Sequence, residues 1–393
     1  MSARPRVQSQ HAPAPAGRDQ MLQVQVIKDA AYIADLAPEW ERLAASISPR
    51  FPFTTPTWCI AWWRHFRRES FRTKDLLRVF VLRDDAGVLV AVAPMFLTER
   101  PSVGPIRSRE LQFFGADPYV SEFRGPVCRA EDTLAVVEAL SAHIRAEAEC
   151  DWVQWRGLRA EDEGQQQMGA VCSNAKLGLV DHYLEVPESW ETFKSSLPRN
   201  IKESLRKCYN SLKRERISFE FRVVSQPNET PAAVDEFLRL HRTRADQTDG
   251  VKHGNVFEGA QACAMLHDYC LQLAERNELR IFQIAVAGKV IATRIGFVMG
   301  DELYLYFSGY DVDWGRFSVM TTTVAEAIKW AIESGFRIVN LSTGTDVSKM
   351  RWRPKQVAYI GGYVIFPVAR SRLAFRFVET LRQREWQSAP RYA

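Results

Sequence analysis

The chain has 393 residues, of which 46% are hydrophobic and 25% charged, so it can bury large cores. This length predicts two domains. Lysine and arginine number 52 against 47 for aspartate and glutamate, and the resulting charge of +5 is too small to indicate a nucleic-acid-binding protein by itself. We therefore predict a soluble enzyme.

Residues 1–20 are rich in proline, alanine and glutamine and lack the apolar segment of a signal peptide, so we predict a disordered leader. No apolar run approaches the roughly 18 residues that a membrane helix needs. The seven cysteines form no CxxC pair and show no metal-ligand spacing. Reduced buried thiols, a cytoplasmic location and no metal follow as expectations.

The first half of the chain shows a helix, a hairpin, a strand, a helix and a strand in that order. Apolar and polar residues alternate in the two hairpin strands around a turn at residues 84–87. The predicted bounds are 37–47 for the first helix, 76–82 and 88–97 for the hairpin, 110–114 for the strand, 133–147 for the second helix and 152–155 for the last strand.

The second half repeats this order. A helix at 232–244 precedes strands at 279–286 and 289–298, which meet at an Ala287-Gly288 turn. A strand at 302–307 and a polar turn at 308–311 follow, and then a helix that Ser318 can cap and that ends at Gly335. A strand at 337–341 leads into a loop at Gly344. Since no residue-level repeat is visible, the duplication is one of pattern only.

Two alternatives fit this pattern. A single α/β domain would need one small sheet to hold too many strands. We therefore favour two similar domains in an α/β fold with mixed sheets and a cleft between the domains. The predicted division is a leader at 1–20, a first domain at 21–180, a second at 181–368, and a basic helix with a tail at 369–393.

Two segments are basic and amphipathic. Residues 194–216 carry eight cations against two acids, with Ile201, Leu205, Cys208 and Leu212 as an apolar stripe. The segment is either a solvated helix face or a patch for an anionic ligand such as CoA phosphates, a nucleotide-linked sugar or tRNA. Residues 371–386 are expected to pack on their own domain, with membrane-surface binding as the alternative.

The second half also carries motifs that resemble a known family. They are the Tyr304-x-Tyr306-x-Ser308-Gly309-Tyr310-Asp311 segment, then Trp314, and, after the helix, Gly344-Thr345-Asp346 with Ser348, Lys349 and Trp352. These residues, within the meander–helix–strand order, resemble the CelD-type acetyltransferases of the GNAT superfamily, distant relatives of the Fem-type aminoacyl transferases. The resemblance covers about residues 53–355. The chain has Ser318-Val319-Met320 and Asn340 where the family often has Ser-Pro-Gly and an aspartate.

The resemblance implies a tandem GNAT fold and acyl-CoA as the co-substrate. A helix N-terminus suits a pyrophosphate because its free N–H groups and dipole are positive. In this fold the helix begins near residues 314–322. The predicted donor-binding residues are Trp314, Arg316, Phe317, Ser318, Thr321 and Thr322.

Acyl transfer also needs a base for the acceptor and an acid for the leaving thiolate. The predicted catalytic residues are Tyr310, Asp311, Asp346 and Lys349; Fem-type relatives have a lysine at the position that Lys349 matches. For two of them an alternative stays open: a solvated charge for Lys349, and a turn-forming residue for Asp346.

The acceptor is predicted to bind between the domains. A loop of the first half, from Gly115 to Glu122, is similar to a family loop that faces this cleft. The predicted acceptor-binding residues are Asp117, Tyr119, Glu122, Tyr306, His241 and Arg351. A structural histidine is the alternative for His241.

The chain has no GxxxxGK[ST] loop, GxSxG elbow, HExxH or GxGxxG motif, which excludes several common enzyme classes. We predict transfer of an acetyl or longer acyl group from CoA to an amine or hydroxyl of a small molecule, sugar or polysaccharide precursor. Two alternatives remain: an aminoacyl transferase that uses charged tRNA, and a non-catalytic binding protein in a biosynthetic complex.

Overall fold

A computed structural model describes residues 21–117, 119–160, 173–247, 254–344 and 346–388. The predicted leader, the end of the tail and Thr345 of the motif lie outside these ranges. Within the described ranges, no helix is long and apolar enough to cross a membrane. The same residues contain no group of three or more histidine, cysteine, aspartate or glutamate side chains arranged to hold a metal ion.

The first half begins with a strand and two helices before its hairpin, and the second of these helices begins at Pro56. Its hairpin and the helix at 133–147 are confirmed. The elements are β1 Gln23–Ile27, α1 Ala31–Ala45, α2 Pro56–Phe66, β2 Lys74–Arg83, β3 Leu89–Pro101, β4 Arg107–Phe113, β5 Val127–Cys128, α3 Thr133–Glu147, β6 Trp152–Arg159 and β7 Ser173–Glu185.

The second half repeats the strand, two helices, meander, helix and strand after two inserted helices. The elements are α4 Trp190–Ser196, α5 Arg199–Arg214, β8 Glu220–Val224, α6 Thr230–Ala245, α7 Ala260–Glu275, β9 Leu279–Val286, β10 Lys289–Met299, β11 Glu302–Tyr310, α8 Val319–Glu333, β12 Ile338–Thr343, α9 Val347–Met350, β13 Lys355–Ile365 and α10 Ala369–Ser388.

Two local predictions near α8 are wrong. The turn expected at 308–311 is mostly strand, because β11 continues to Tyr310 and the chain turns in a 3₁₀ helix at Val312–Phe317. Ser318 stands at the N-cap position of α8, but its side chain caps nothing. Its φ of 54° lies in the left-handed region, which a serine adopts at a cost in backbone strain.

The described strands form one mixed sheet in the order β1-β2-β3-β4-β6-β13-β7-β12-β11-β10-β9-β8, with β5 on the side of β3. Neighbours are antiparallel except for β4 with β6 and β11 with β12, which are parallel. Each half therefore has a meander, a crossover helix and a parallel strand. The predicted α/β class with mixed sheets is confirmed.

The two halves exchange their last strands. β7 follows β6 in the chain but pairs with β12 of the second half, and β13 follows β12 but pairs with β6 of the first. β7 and β13 pair with each other at the centre of the sheet. The predicted boundary between residues 180 and 181 falls inside β7. Each half is consequently completed by a strand from the other.

Helices cover both faces of the sheet. Helices α1, α2, α6 and α7 pack on one face with the aromatic side chains of both halves, and α3, α4, α5, α8 and α10 lie on the other. Trp58 of α2 and Tyr269 of α7 meet edge to face with ring centroids 4.7 Å apart, which ties the halves together. All four residues of the predicted apolar stripe of α5 are buried.

Gly309 permits the close packing of α6 on β11. A Cβ atom on Gly309 would lie 2.4 Å from the backbone nitrogen of His241, a distance that the backbone cannot accommodate without moving. We expect Gly309→Ala to destabilise the fold by about 2 kcal/mol or more. Thermal unfolding measures this, with Gly259→Ala as control because a Cβ there meets nothing within 4 Å. Equal melting temperatures for the two variants would contradict the packing argument.

Candidate functional site

Strands β11 and β12 diverge partway along the sheet. They pair only from Glu302 to Tyr304, opposite Ile338 to Asn340, although both continue further. Beyond this point the guanidinium of Arg294 lies between them, and its Nη2 donates to the carbonyl of Leu305 at 3.0 Å and towards that of Leu341 at 3.4 Å. Burial lowers the pKa of Arg294 to about 10, so it stays charged at neutral pH. The divergence opens the sheet at one place and puts a cation there.

A cavity of about 250 Å³ lies beside the divergence on the α8 face of the sheet, and we call it the helix cavity. The first turn of α8 forms one wall. Arg351 Nη2 donates to Thr321 Oγ1 of that turn at 2.6 Å. The residues used below are Arg244, Arg294, Lys349, Arg351, Ser318 and Thr321. The four cations and the positive end of the α8 dipole make this cavity suited to an anion.

A larger cavity of about 1020 Å³ lies between the halves on the opposite face, and we call it the cleft. Both halves line it, and Arg244 lines the helix cavity as well. The residues used below are Glu122, Arg124, Arg156, His241, Arg244 and Phe307. The cleft and the helix cavity therefore meet where β11 and β12 part.

Glu122 of the first half is held at this meeting point by the second half. Its Oε2 accepts from the hydroxyl of Tyr304 at 2.7 Å, and its Oε1 accepts from Ser342 Oγ at 2.6 Å. Burial raises the pKa of Glu122, and the opposing effects of Lys349, Ser342 and Tyr304 do not cancel it. A carboxylate with a raised pKa is suited to accept a proton near neutral pH.

A second buried carboxylate lies on β7. Asp181 accepts from Asn340 Nδ2 at 2.8 Å, and its other oxygen has no hydrogen-bond partner among the residues that the structure describes. Burial raises the pKa of Asp181 to about 7, and the nearby charge of Glu122 adds to the rise. Asn340 thus stands where the family resemblance leads one to expect an aspartate, and the neighbouring strand supplies the carboxyl group.

The Asp181 pKa has a consequence for stability. The carboxyl has a pKa of 3.8 when free, so between pH 3.8 and 7 the folded state holds a proton that the unfolded state has lost. Stability therefore falls as pH rises through this window. We expect Asp181→Asn to raise the melting temperature at pH 8, by an amount that corresponds to about 1–3 kcal/mol, and to raise it by less at pH 5, which lies inside this window.

Asp301 is a control for which the expected change in melting temperature has the opposite sign. Burial raises the pKa of that carboxyl, but Arg337 and Arg50 outweigh the effect and hold it below 3.8. Asp301→Asn should therefore lower the melting temperature at pH 8. Differential scanning fluorimetry at both pH values measures each variant. A lower melting temperature for Asp181→Asn at pH 8 would show that its carboxylate stabilises the fold.

The two predicted catalytic residues after β12 lie at the meeting point, but only one points inward. Lys349 Nζ donates to the carbonyl of Thr343 and lies 3.4 Å from Asp346 Oδ2. Burial lowers the pKa of Lys349, although Glu122 and Asp346 oppose this. Asp346 caps α9 by accepting from the backbone N–H of Ser348 at 3.0 Å. The turn-forming alternative for Asp346 is therefore realised.

The predicted residues near the end of β11 separate into different environments. Tyr310 lines the helix cavity. Asp311 instead accepts from Lys289 Nζ at 2.8 Å and caps the 3₁₀ helix. Tyr306 is buried and donates to the carbonyl of Val120, so its hydroxyl joins the two halves. These contacts give Asp311 and Tyr306 structural roles.

His241 lines the cleft but is already engaged. Its Nδ1 lies 3.0 Å from the carbonyl oxygen of Ser308, which can only accept, so Nδ1 carries the proton. Burial lowers the pKa of His241 to about 4, which keeps the ring neutral at pH 7. Nε2, which has no hydrogen-bond partner within the described part of the chain, could accept a hydrogen bond from a ligand.

The predicted donor-binding residues are only partly brought together. Ser318 and Thr321 line the helix cavity, and so does Arg351, which we had assigned to the acceptor. Trp314 and Phe317 pack in an apolar cluster, and Thr322 is fully buried. Arg316 lies outside, paired with Glu215 at 3.2 Å and exposed over most of its side chain. The nearest charge to the anion site is thus Arg351 and not Arg316.

The three predicted residues of the first-half loop also lie in different environments. Asp117 accepts from Trp62 Nε1 at 2.8 Å and from Ser121 Oγ at 2.7 Å, so it organises the loop and cannot grip an acceptor as well. Tyr119 is half exposed on the cleft, with a φ of 80°. Glu122 lies between the cavities. Of the three, Asp117 is the one whose contacts are structural.

Several residues of the site were not predicted from the sequence. They are Arg124, Arg156, Asp181, Arg244 and Arg294. One signal was present: Arg294 interrupts the apolar strand β10 at a position that faces the α8 side of the sheet. A cation in a buried strand is costly and marks a candidate site. The other four residues occupy positions that no sequence pattern distinguishes, and Asp181 reaches the site only because the two halves exchange strands.

A comparison with protein families matches part of the second half. Residues 199–351 match the family model described as an acetyltransferase (GNAT) domain. The match begins with α5 and ends after α9, so it contains every element of the helix cavity. No curated protein matches the chain.

Among solved structures, FemX is similar over 84% of this chain and 96% of its own, with 10% identity and a TM-score of 0.56. The similarity to L-PGS from Bacillus licheniformis covers 78% of this chain and 88% of the L-PGS chain, with 14% identity and a TM-score of 0.45. The similarity to a tandem GNAT protein from the clavulanic acid biosynthesis pathway covers 87% of this chain and 98% of that protein, with 11% identity and a TM-score of 0.42. At such identities the FemX similarity shows the fold alone. The predicted GNAT fold of the second half and the Fem-like architecture of the whole are confirmed.

Proposed function

We propose that this protein transfers an acyl group from CoA, bound in the helix cavity, to an amine or hydroxyl of an acceptor bound in the cleft. One observation carries the proposal: the sheet opens between β11 and β12, so a cationic cavity at a helix N-terminus meets an inter-domain cleft. The resemblance to CelD-type acetyltransferases favours an acetyl donor and a sugar or polysaccharide precursor as acceptor.

The helix cavity fits the phosphates of the donor. Arg351 is fixed by Thr321 and reaches towards Ser204 of α5 at 3.5 Å, so its guanidinium is positioned before any ligand arrives. Together with the first turn of α8 it can hold a pyrophosphate by charge-assisted hydrogen bonds. The thioester would then lie towards the divergence of the strands, next to Arg294.

Glu122 is proposed as the base. The acceptor nitrogen or oxygen forms a bond to the thioester carbon, the carbon–sulfur bond breaks, and the acceptor's proton passes to Glu122. Tyr304 and Ser342 fix the carboxylate in place. Lys349, buried beside it, can stabilise the negative charge that develops on the carbonyl oxygen. Tyr310 on the helix-cavity side is the candidate acid for the leaving thiolate.

Thermal-shift measurements on the full chain test the donor. Acetyl-CoA or a longer acyl-CoA at 100 times its Kd should stabilise the protein by about 2.7 kcal/mol. Thiol release from the bound donor, measured with a panel of amines, amino sugars and polyols, then identifies the acceptor. Absence of stabilisation by every acyl-CoA would end this proposal and favour a non-catalytic binding protein.

A specific observation supports a second candidate, the aminoacyl transferase that uses charged tRNA. Helix α5 borders the helix cavity through Ser204, and Arg206, Lys207, Lys213 and Arg214 are exposed on it. A basic helix beside the donor site could hold an RNA backbone. Stabilisation by charged tRNA, with a binding constant that falls steeply with salt, would support this candidate over acyl-CoA.

A further inference from the structure

Two arginines of the first half line the cleft together, and neither forms an ion pair with a carboxylate of the described residues. Arg124 follows the Glu122 loop, and Arg156 lies on β6, and both line the cleft. Burial lowers the pKa of Arg124; the Asp117 carboxylate opposes this effect, and the charge of Arg156 adds to it. No described carboxylate lies within 4.0 Å of either guanidinium.

The fold makes room for Arg156. It lies at a β-bulge, where the register of β6 with β13 shifts between Ile360 and Gly362. A Cβ on Gly361 would lie 3.0 Å from Arg156 Cδ, and a Cβ on Gly178 would lie 3.7 Å from its Nη1. The side chain therefore crosses two glycines on neighbouring strands. Because these glycines have no side chains, the long side chain of Arg156 can lie along the sheet on the side of the cleft.

Arg124 is held in place from the other side. Its Nη2 donates to the backbone carbonyl of Asp117 at 3.2 Å, and its own backbone carbonyl lies against Gly157. A single neutral carbonyl does not neutralise a half-buried guanidinium, and two adjacent cations in a partly enclosed site repel each other. Such an arrangement is stable when an anion occupies it.

We infer that the acceptor carries a phosphate group, which Arg124 and Arg156 bind in the cleft. The inference rests on the proposed function and names the class of its acceptor: a phosphorylated molecule with an amine or hydroxyl that reaches Glu122. Two guanidiniums match the charge and the oxygen geometry of a phosphate or diphosphate better than those of a single carboxylate. Phe307, Leu179 and Ile360 offer the rest of the acceptor an apolar wall.

Isothermal titration of the full chain with pyrophosphate tests this site. Saturating CoA is present, so that the helix cavity is filled. We expect pyrophosphate to bind the wild type and to bind Arg156→Gln at least about tenfold more weakly, the loss typical of one charge-assisted contact. The matched control is Arg159→Gln on the same strand, whose Nη2 donates to the carbonyl of Ser48 at 2.7 Å outside the cleft. It should bind like the wild type.

Three outcomes would overturn the assignment. They are no pyrophosphate binding in the wild type, equal affinities for Arg156→Gln and Arg159→Gln, and tighter binding of malonate than of pyrophosphate. The melting temperature adds an independent readout. Without ligand, Arg156→Gln should be at least as stable as the wild type because it relieves the repulsion, and a clearly lower value would make Arg156 structural. If CoA itself fails to bind, the proposed function fails. The phosphate site can still be tested by titrating pyrophosphate without CoA into variants that carry Arg351→Gln, a change that weakens anion binding in the helix cavity, with and without Arg156→Gln.

Discussion

Replacing Glu122 with glutamine is expected to lower turnover by about 10²–10⁴-fold, the usual contribution of a general base. Glutamine keeps the size of the side chain but cannot take up a proton. Donor binding should be unchanged, because Glu122 reaches the meeting point from the cleft side. Thiol release from acetyl-CoA with the acceptor that the panel identifies gives kcat, and titration calorimetry gives the affinity for CoA.

The matched control is Glu258→Gln. Glu258 also lines the cleft but is exposed at its edge, so the same substitution there should change kcat little. The pH profile separates catalysis from structure. Turnover of the wild type should rise with pH through the raised pKa of Glu122, and this limb should vanish in Glu122→Gln. If both variants lose turnover equally, Glu122 is not the base.

Arg351→Ala is expected to weaken CoA binding by about tenfold to a hundredfold, since a hydrogen bond to a charged group contributes about 1.5–3 kcal/mol. Its guanidinium lines the helix cavity and is fixed by Thr321. Arg316→Ala is the control. The sequence pointed to Arg316 as the phosphate ligand, but it is exposed and pairs with Glu215 across the surface. It should change CoA affinity less than twofold.

Calorimetric titration of both variants with CoA measures the difference. The test is which variant loses more CoA affinity. A larger loss for Arg316→Ala would favour Arg316 as the phosphate ligand and place the phosphates outside the helix cavity. Turnover at saturating donor should be preserved in both variants, because neither side chain contacts Glu122 or Lys349.

The elements of the second half were predictable because their signals are local. Alternation of apolar residues and the Ala287-Gly288 turn define the hairpin of β9 and β10, and the helical spacing of apolar residues defines α8. The missing pieces are also informative. The short strand at the start of each half and the helix α7 have weak patterns, and Ser318 has a capping residue's identity but a backbone that prevents it from capping.

The site was only partly predictable, for a topological reason. Lys349 and Glu122 came from motifs that the family resemblance marked, and both lie at the meeting point. Asp181 and Arg156 have no local signature. They reach the site because β7 crosses to the second half and β13 lies beside β6, and no sequence period encodes which strands will be neighbours.

The exchange of β7 and β13 also constrains the order in which the protein can form during synthesis. The first half is translated completely by residue 185, yet the partner strand of β6 is not made until residue 365. An emerging first half therefore exposes an unpaired sheet edge while about 180 further residues are added, and such edges favour aggregation. Ribosome-bound chains arrested before β13 should accordingly be more sensitive to protease than chains arrested after it.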